Sequence, residues 1–151
     1  DIWILADQSV PTDGPVVSEE DAGLECFRIS RGAPAWGKEL TEGMLPSEAR
    51  LDTTDISYHK GCYIGQEVIS RIKSAGKLNR TLEKLRLPAD VGIVGGAELW
   101  DGESIAGVIT SVSPQADGAL VDALGYVKRT AERSGLQVRG ADGRSHAVEV
   151  R

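Results

Sequence analysis

The sequence predicts an α+β fold whose second half is a small antiparallel β-barrel. Three patterns carry that prediction. Residues 18–31 open with a helix-capping signal and stop at Gly32 and Pro34. The octet Lys60-Gly61-Cys62-Tyr63-Ile64-Gly65-Gln66-Glu67 runs into Val68-Ile69-Ser70-Arg71-Ile72, which places Ile64, Val68, Ile69 and Ile72 on one helical face. Beyond residue 80 the texture changes to short alternating strands punctuated by Asp-Gly turns. The change sets a division near residues 75–79, with an α+β part over residues 1–76 and the barrel over residues 77–151.

The elements follow in order. Trp3-Ile4-Leu5-Ala6 reads as a short strand, and the Pro/Gly-bearing residues 10–15 read as a loop. Ser18 is the expected cap of the first helix, with Asp21 at the capping-box position. Leu24, Phe27 and Ile29 supply the apolar side of that helix. Residues 35–55 carry Gly37, Gly43 and Pro46 with little periodicity, so they form a loop able to wall a pocket. A second helix starts near Ile64 and ends near Gly76. Leu85 and Leu87 then alternate with polar residues. Residues 97–100 and 103–112 flank Asp101-Gly102, the strongest short hairpin signal. Residues 119–129 form a long apolar strand. Residues 136–139 and 145–150 flank Asp142-Gly143, with Val148 and Val150 inward and Glu149 outward. Several strands joined by turns point to the barrel.

Bulk properties exclude several classes. At 151 residues, 40% hydrophobic and 26% charged, the chain has the make-up of an ordinary globular protein. A net charge of −6 argues against an electrostatic grip on nucleic acid, so no direct nucleic-acid binding is expected. Arg71, Lys73, Lys77, Arg80, Lys84 and Arg86 form a basic stretch that reads as a solvated face. No apolar run is long enough to span a bilayer, and no membrane partner is expected. The first residues lack the pattern of a signal peptide. The chain opens without Met and is expected to be a processed product or a fragment. Cys26 and Cys62 do not make a disulfide framework. With His59 and His146 they do not close a metal site, so no metal is expected. This cysteine usage fits a reducing, cytoplasm-like compartment.

The octet holds the candidate chemistry. A thiol near a helix start meets the positive end of the helix dipole, and Lys60 adds a cation. Both favour the thiolate of Cys62, which is the nucleophilic and metal-binding form. The competing reading is a small buried hydrophobe with an inert thiol. Lys60 suits an anion or plain solvation. Tyr63 can stack on a planar ring or cap the core. Gln66 and Glu67 fall in the first helical turn, where Glu67 also suits the dipole. Arg71 lies one helical turn beyond Glu67, at ion-pair spacing, and can pair with it or face a ligand. Trp36, in a Gly/Pro loop, can stack on a ligand or serve packing. Cys26 reads as structural.

The octet resembles the signature of the YgfZ-type folate-binding proteins, relatives of the glycine-cleavage T-protein (aminomethyltransferase). Arg28-Ile29, Gly32, Pro34, Gly37 and Glu39 resemble the family's arginine–glycine–proline–glycine–glutamate run. Leu45-Pro46 with Glu48 resembles its leucine–proline–glutamate step. Gly107-Val108-Ile109-Thr110-Ser111 and Ala123-Leu124-Gly125-Tyr126-Val127-Lys128-Arg129 resemble two strands of its C-terminal domain. The resemblance covers roughly residues 18–151.

It implies that residues 1–76 are the C-terminal part of an aminomethyltransferase-like α+β folate-binding domain, and that residues 77–151 are the C-terminal β-barrel domain. It implies tetrahydrofolate as cofactor and iron–sulfur proteins as partners. The implied role is an accessory one, in iron–sulfur enzyme maintenance or assembly and tRNA modification. Cys62 and Lys60 would form the reactive pair, and Tyr63, Gln66, Glu67, Arg71 and Trp36 would hold the cofactor. The alternative is a folate-dependent aminomethyltransferase. Two departures bear on that alternative. Ser30 stands where the T-protein has an acidic residue implicated in pterin binding. The aspartate implicated in aminomethyl transfer belongs to an N-terminal portion this chain is expected to lack.

Overall fold

Helix α1 (Ala22–Arg31) starts behind an aspartate. The computed structural model describes residues 21–52, 55–57, 61, 62, 64–67, 69, 70 and 78–151. Ser18, the expected cap, and the expected strand at residues 3–6 lie outside them. Asp21 is the cap: its Oδ1 accepts from Gly23 N at 2.8 Å and from Leu24 N at 3.1 Å. Two N–H groups that a helix start leaves unpaired are thereby satisfied. At the other end Gly32 adopts the left-handed conformation, φ 72°. Its N–H donates to Ile29 O and that of Ala33 to Arg28 O, closing the helix. Of the expected apolar side only Ile29 is buried. Leu24 and Phe27 are exposed.

The strands form one antiparallel sheet. They are β1 (Arg80–Pro88), β2 (Glu98–Asp101), β3 (Ser104–Asp117), β4 (Leu120–Lys128), β5 (Leu136–Arg139), β6 (Ser145–Ala147) and β7 (Glu149–Val150). Their spatial order is β6-β5-β2-β3-β4-β1-β7. The Asp101-Gly102 turn joins β2 to β3 as the sequence predicts, with Gly102 at φ 59°, where a side chain would be strained.

The expected β-barrel does not form. The ladder is open: β6 ends it on one side and β7 on the other. The alternation of residues 145–150 suggests a single closing strand, but the run breaks at Val148. That residue is buried, and its N–H donates to Leu136 O at 2.9 Å. The segment before it pairs with β5 and the segment after it with β1. One short run therefore supplies both edges of the sheet, and no ladder joins them.

Strand alternation divides the core in two. Leu85, Leu87, Val121, Ala123 and Val127 belong to one cluster, with Leu99, Ile109, Leu136 and Val138. Leu82, Leu124 and Tyr126 face the other way and pack with Ile29 of α1. The helix thus lies over β3 and β4, with the residue 33–51 segment beside it.

A buried carboxylate fixes that layer. Glu39 has no exposed surface. Its Oε2 accepts from Arg28 Nη1 at 2.8 Å and Ala35 N at 2.9 Å. Its Oε1 accepts from Thr110 Oγ1 at 2.7 Å and Ser111 Oγ at 2.6 Å. Adjacent residues of a regular strand point to opposite faces, so Thr110 and Ser111 could not both reach one group. The register against β4 slips between Ile109 and Ser111, and this bulge turns both hydroxyls to the same carboxylate.

Replacing Glu39 by Ala removes the buried acceptor shared by Arg28 Nη1, Ala35 N and the two hydroxyls. The expected loss is about 3–5 kcal/mol, the range for breaking a buried ion pair. Urea unfolding measures it, and an unchanged midpoint would remove Glu39 from this role.

Candidate functional site

Among the described octet residues, Ile64 and Gly65 form a turn ahead of a helical segment. Gly65 takes φ 89°, and Gln66, Glu67, Ile69 and Ser70 are helical. Ile69 N donates to Gly65 O at 3.2 Å. The helix therefore starts two residues later than expected. Ile64, expected on the docking face, precedes it and is fully exposed. A glycine in the left-handed region breaks the run between Ile64 and the helix, which is why the apolar periodicity does not carry through.

Cys62 is a free, exposed thiol four positions before Gln66. Gln66 is half-buried and Glu67 is exposed. Lys60, Tyr63 and Arg71 lie outside the described residues, as does His59. Trp36 is 73% exposed and bridges to Leu40. Cys26 is half-buried and accepts from Ser113 Oγ at 3.2 Å. No group of three or more His, Cys, Asp or Glu among the described residues is arranged to hold a metal ion.

Sequence reasoning assigned no role to the polar network behind α1. Arg28 is its centre. Its Nε and Nη2 grip Glu25 at 2.9 and 2.6 Å, and Nη2 also donates to Ser111 Oγ at 2.8 Å. Its Nη1 donates to Ala33 O as well as to Glu39. The Arg28 hydrogen bonds and the ammonium of Lys38 hold the Glu25 carboxyl down at about 2, against the opposing effect of burial. The only sequence signal was the helical spacing of Glu25 and Arg28. Ser30, at the position of the T-protein's acidic residue, donates its hydroxyl to Phe27 O at 2.8 Å.

A second network lies at the far end of β1. Glu83 is buried and held by Arg50, by Arg133 at 3.3 Å and by Thr81 Oγ1 at 2.9 Å. Arg80 pairs with Glu48 at 3.0 Å and lies 4.7 Å over the Tyr126 ring. Burial pushes the Tyr126 hydroxyl up to about 12. It stays neutral and donates to Glu39 O at 3.1 Å. Arg86 pairs with Asp117 and Asp122. Of the basic stretch, Arg80 and Arg86 are thus answered by local carboxylates.

No family model matches the chain. A putative chloroplastic transferase of Arabidopsis thaliana is 33% identical over 139 residues, which is 91% of this chain and 30% of that protein. An aminomethyltransferase of Corynebacterium jeikeium is 31% identical over 126 residues, covering 79% of the chain and 32% of that enzyme. A tRNA-modifying protein YgfZ of Blochmanniella pennsylvanica is 48% identical over 58 residues, covering 38% and 18%. The aminomethyltransferase of the glycine cleavage system from Bartonella henselae has the same fold over 84% of this chain and 36% of that one, with a TM-score of 0.68 and 24% identity.

The chain belongs to the superfamily of the glycine-cleavage T-protein and the aminomethyltransferases. It is of the folate-binding type of that superfamily, and its similarity to YgfZ extends over a shorter stretch. It spans about a third or less of the length of the curated relatives it matches.

One further relative, an iron–sulfur cluster assembly factor IBA57 homologue of Dictyostelium discoideum, is mitochondrial. It is 34% identical over 67 residues, 43% of this chain and 16% of that protein. Other IBA57 homologues are mitochondrial too. These overturn the cytoplasmic expectation. Unpaired thiols report a reducing environment and do not distinguish the compartments that provide one. No helix among the described residues is long and apolar enough to cross a membrane.

The Glu25 carboxyl yields a pH prediction. It sits near its ordinary value when the chain is unfolded and at about 2 when folded. Its stabilising effect is complete above about pH 4.5 and is lost as the pH falls toward about 2. Glu25→Gln should be less stable than the parent at pH 7, and the gap should close across that window. A gap independent of pH, followed by urea unfolding, would contradict the assignment.

Proposed function

We propose that this chain serves a tetrahydrofolate-binding accessory function in the maintenance or assembly of iron–sulfur enzymes, including those that modify tRNA. One observation carries the reading. Cys62 is exposed ahead of the turn at Ile64 and Gly65 and its helical segment, in a chain whose relatives include iron–sulfur cluster assembly factors and a tRNA-modifying protein. Exposure removes burial as a reason for an inert thiol. Cys62 is the reactive group on this reading, with Lys60 as its partner in the reactive pair. Its surroundings supply no set of metal ligands among the described residues, so cluster contact needs ligands from a partner protein.

The described residues fit a pterin in part. Gln66 offers an amide and Glu67 a carboxylate, which together suit the donor and acceptor edge of such a ring. Ser30 offers no acid, and its hydroxyl is directed to Phe27 O. Tyr63, Arg71 and Trp36 complete the proposed pocket. Tetrahydrofolate, when bound, supplies a carrier for one-carbon units. Residues 1–76 are read as part of the folate-binding domain, and residues 77–151 as the sheet that follows it.

A second reading, folate-dependent aminomethyl transfer, is favoured by the likeness to the Corynebacterium and Bartonella aminomethyltransferases. It assigns no role to the thiol. In cells lacking the native protein, Cys62→Ser is expected to abolish rescue of iron–sulfur enzyme activity. Full rescue by that variant would sink the first reading and leave the second.

A further inference from the structure

We infer that the cleft between the C-terminal end of α1 and β1 binds a small amphiphilic anion, an apolar or aromatic body bearing a carboxylate or phosphate. The cleft has a volume of about 550 Å³, within the range of roughly 300–1,000 Å³ common for ligand pockets. None of its lining residues belongs to the octet, so the inference stands apart from the folate reading.

Its lining combines apolar and cationic side chains. Leu40, Ala49, Leu51, Leu82 and Leu124 form the apolar part. Arg31, Arg50, Lys84 and Arg151 stand at it, against Asp55 and Glu83. Glu83 is already answered by Arg50, Arg133 and Thr81. No ion pair is found for Arg31, Lys84 or Arg151 among the described residues. The Ile29 and Arg28 carbonyls of α1 accept from Gly32 N and Ala33 N. The lining therefore carries more cations than carboxylates on a chain of net charge −6.

Two local features set the cations in place. Arg50 has φ 60°, the one positive φ outside glycine among the described residues. Glycine fits that region without strain; Arg50 in it reaches the buried Glu83 with one arm of its guanidinium. A guanidinium presents a fork of donors that matches a carboxylate or phosphate. Gly32 makes room for the other cation. A Cβ built there would meet Lys84 Cδ at 3.1 Å and Cγ at 3.2 Å, so the lysine stem lies against the bare glycine beside the cleft.

Amide chemical-shift titration of the chain with 1-naphthyl phosphate, 1-naphthoate and neutral 1-naphthol tests this. Shifts should cluster on Ala33, Leu51, Leu82 and Lys84, with the anions binding at least about fivefold more tightly than naphthol. Arg50→Gly suits the backbone while removing the guanidinium. It and Lys84→Met should each weaken the anions by about threefold and leave naphthol unchanged. Cys62→Ser should leave all three unchanged, which separates this outcome from that of the folate reading. Shifts scattered over the surface, naphthol binding as tightly as the anions, or anion affinities untouched by both variants would each overturn the inference.

Discussion

A carboxylate without access to water ties the helix layer to the sheet. Glu39 receives Arg28 from α1, a backbone N–H from its own loop, and two hydroxyls from the bulge in β3. Bringing such a charge out of water is costly, and the cost is met only because all these donors converge on it. The convergence constrains geometry more than it adds net stability. Helix, loop and strand satisfy the group together only in one arrangement. Tyr126 extends that constraint by donating to the Glu39 backbone carbonyl from β4. The loop that leads toward the octet therefore starts from a fixed point.

Much of the strand half was legible in the sequence. Strand β1, the Asp101-Gly102 hairpin and β4 stand close to where alternation and turn chemistry put them, because those signals are local. Closure was not legible. Whether residues 145–150 join two edges or split between them depends on partners far away in the chain, and the pattern of residues is the same in either case. The cap moved to Asp21 because an aspartate and a serine signal a helix start equally well.

The candidate site was legible as chemistry and less so as geometry. The octet's residue types stand out in the sequence, and Cys62 is exposed where that chemistry needs it. The exposure of Ile64 was hidden, since helical periodicity says nothing of the left-handed glycine after it. Glu39 was quoted only as part of a run. A glutamate in a Gly/Pro loop looks like a surface residue, and only the distant Thr110 and Ser111 bury it. Arg50 gave no signal at all, because its strained backbone follows from the turn after Pro46.

Iron–sulfur function and folate meet, on this reading, at one short turn. Calorimetric titration of tetrahydrofolate into the chain and into a Lys60→Ala/Cys62→Ser variant is the most direct test. Folate held at the octet predicts one saturable site in the parent and clearly weaker binding in the variant. No binding by the parent, or binding that the variant leaves unchanged, would contradict it.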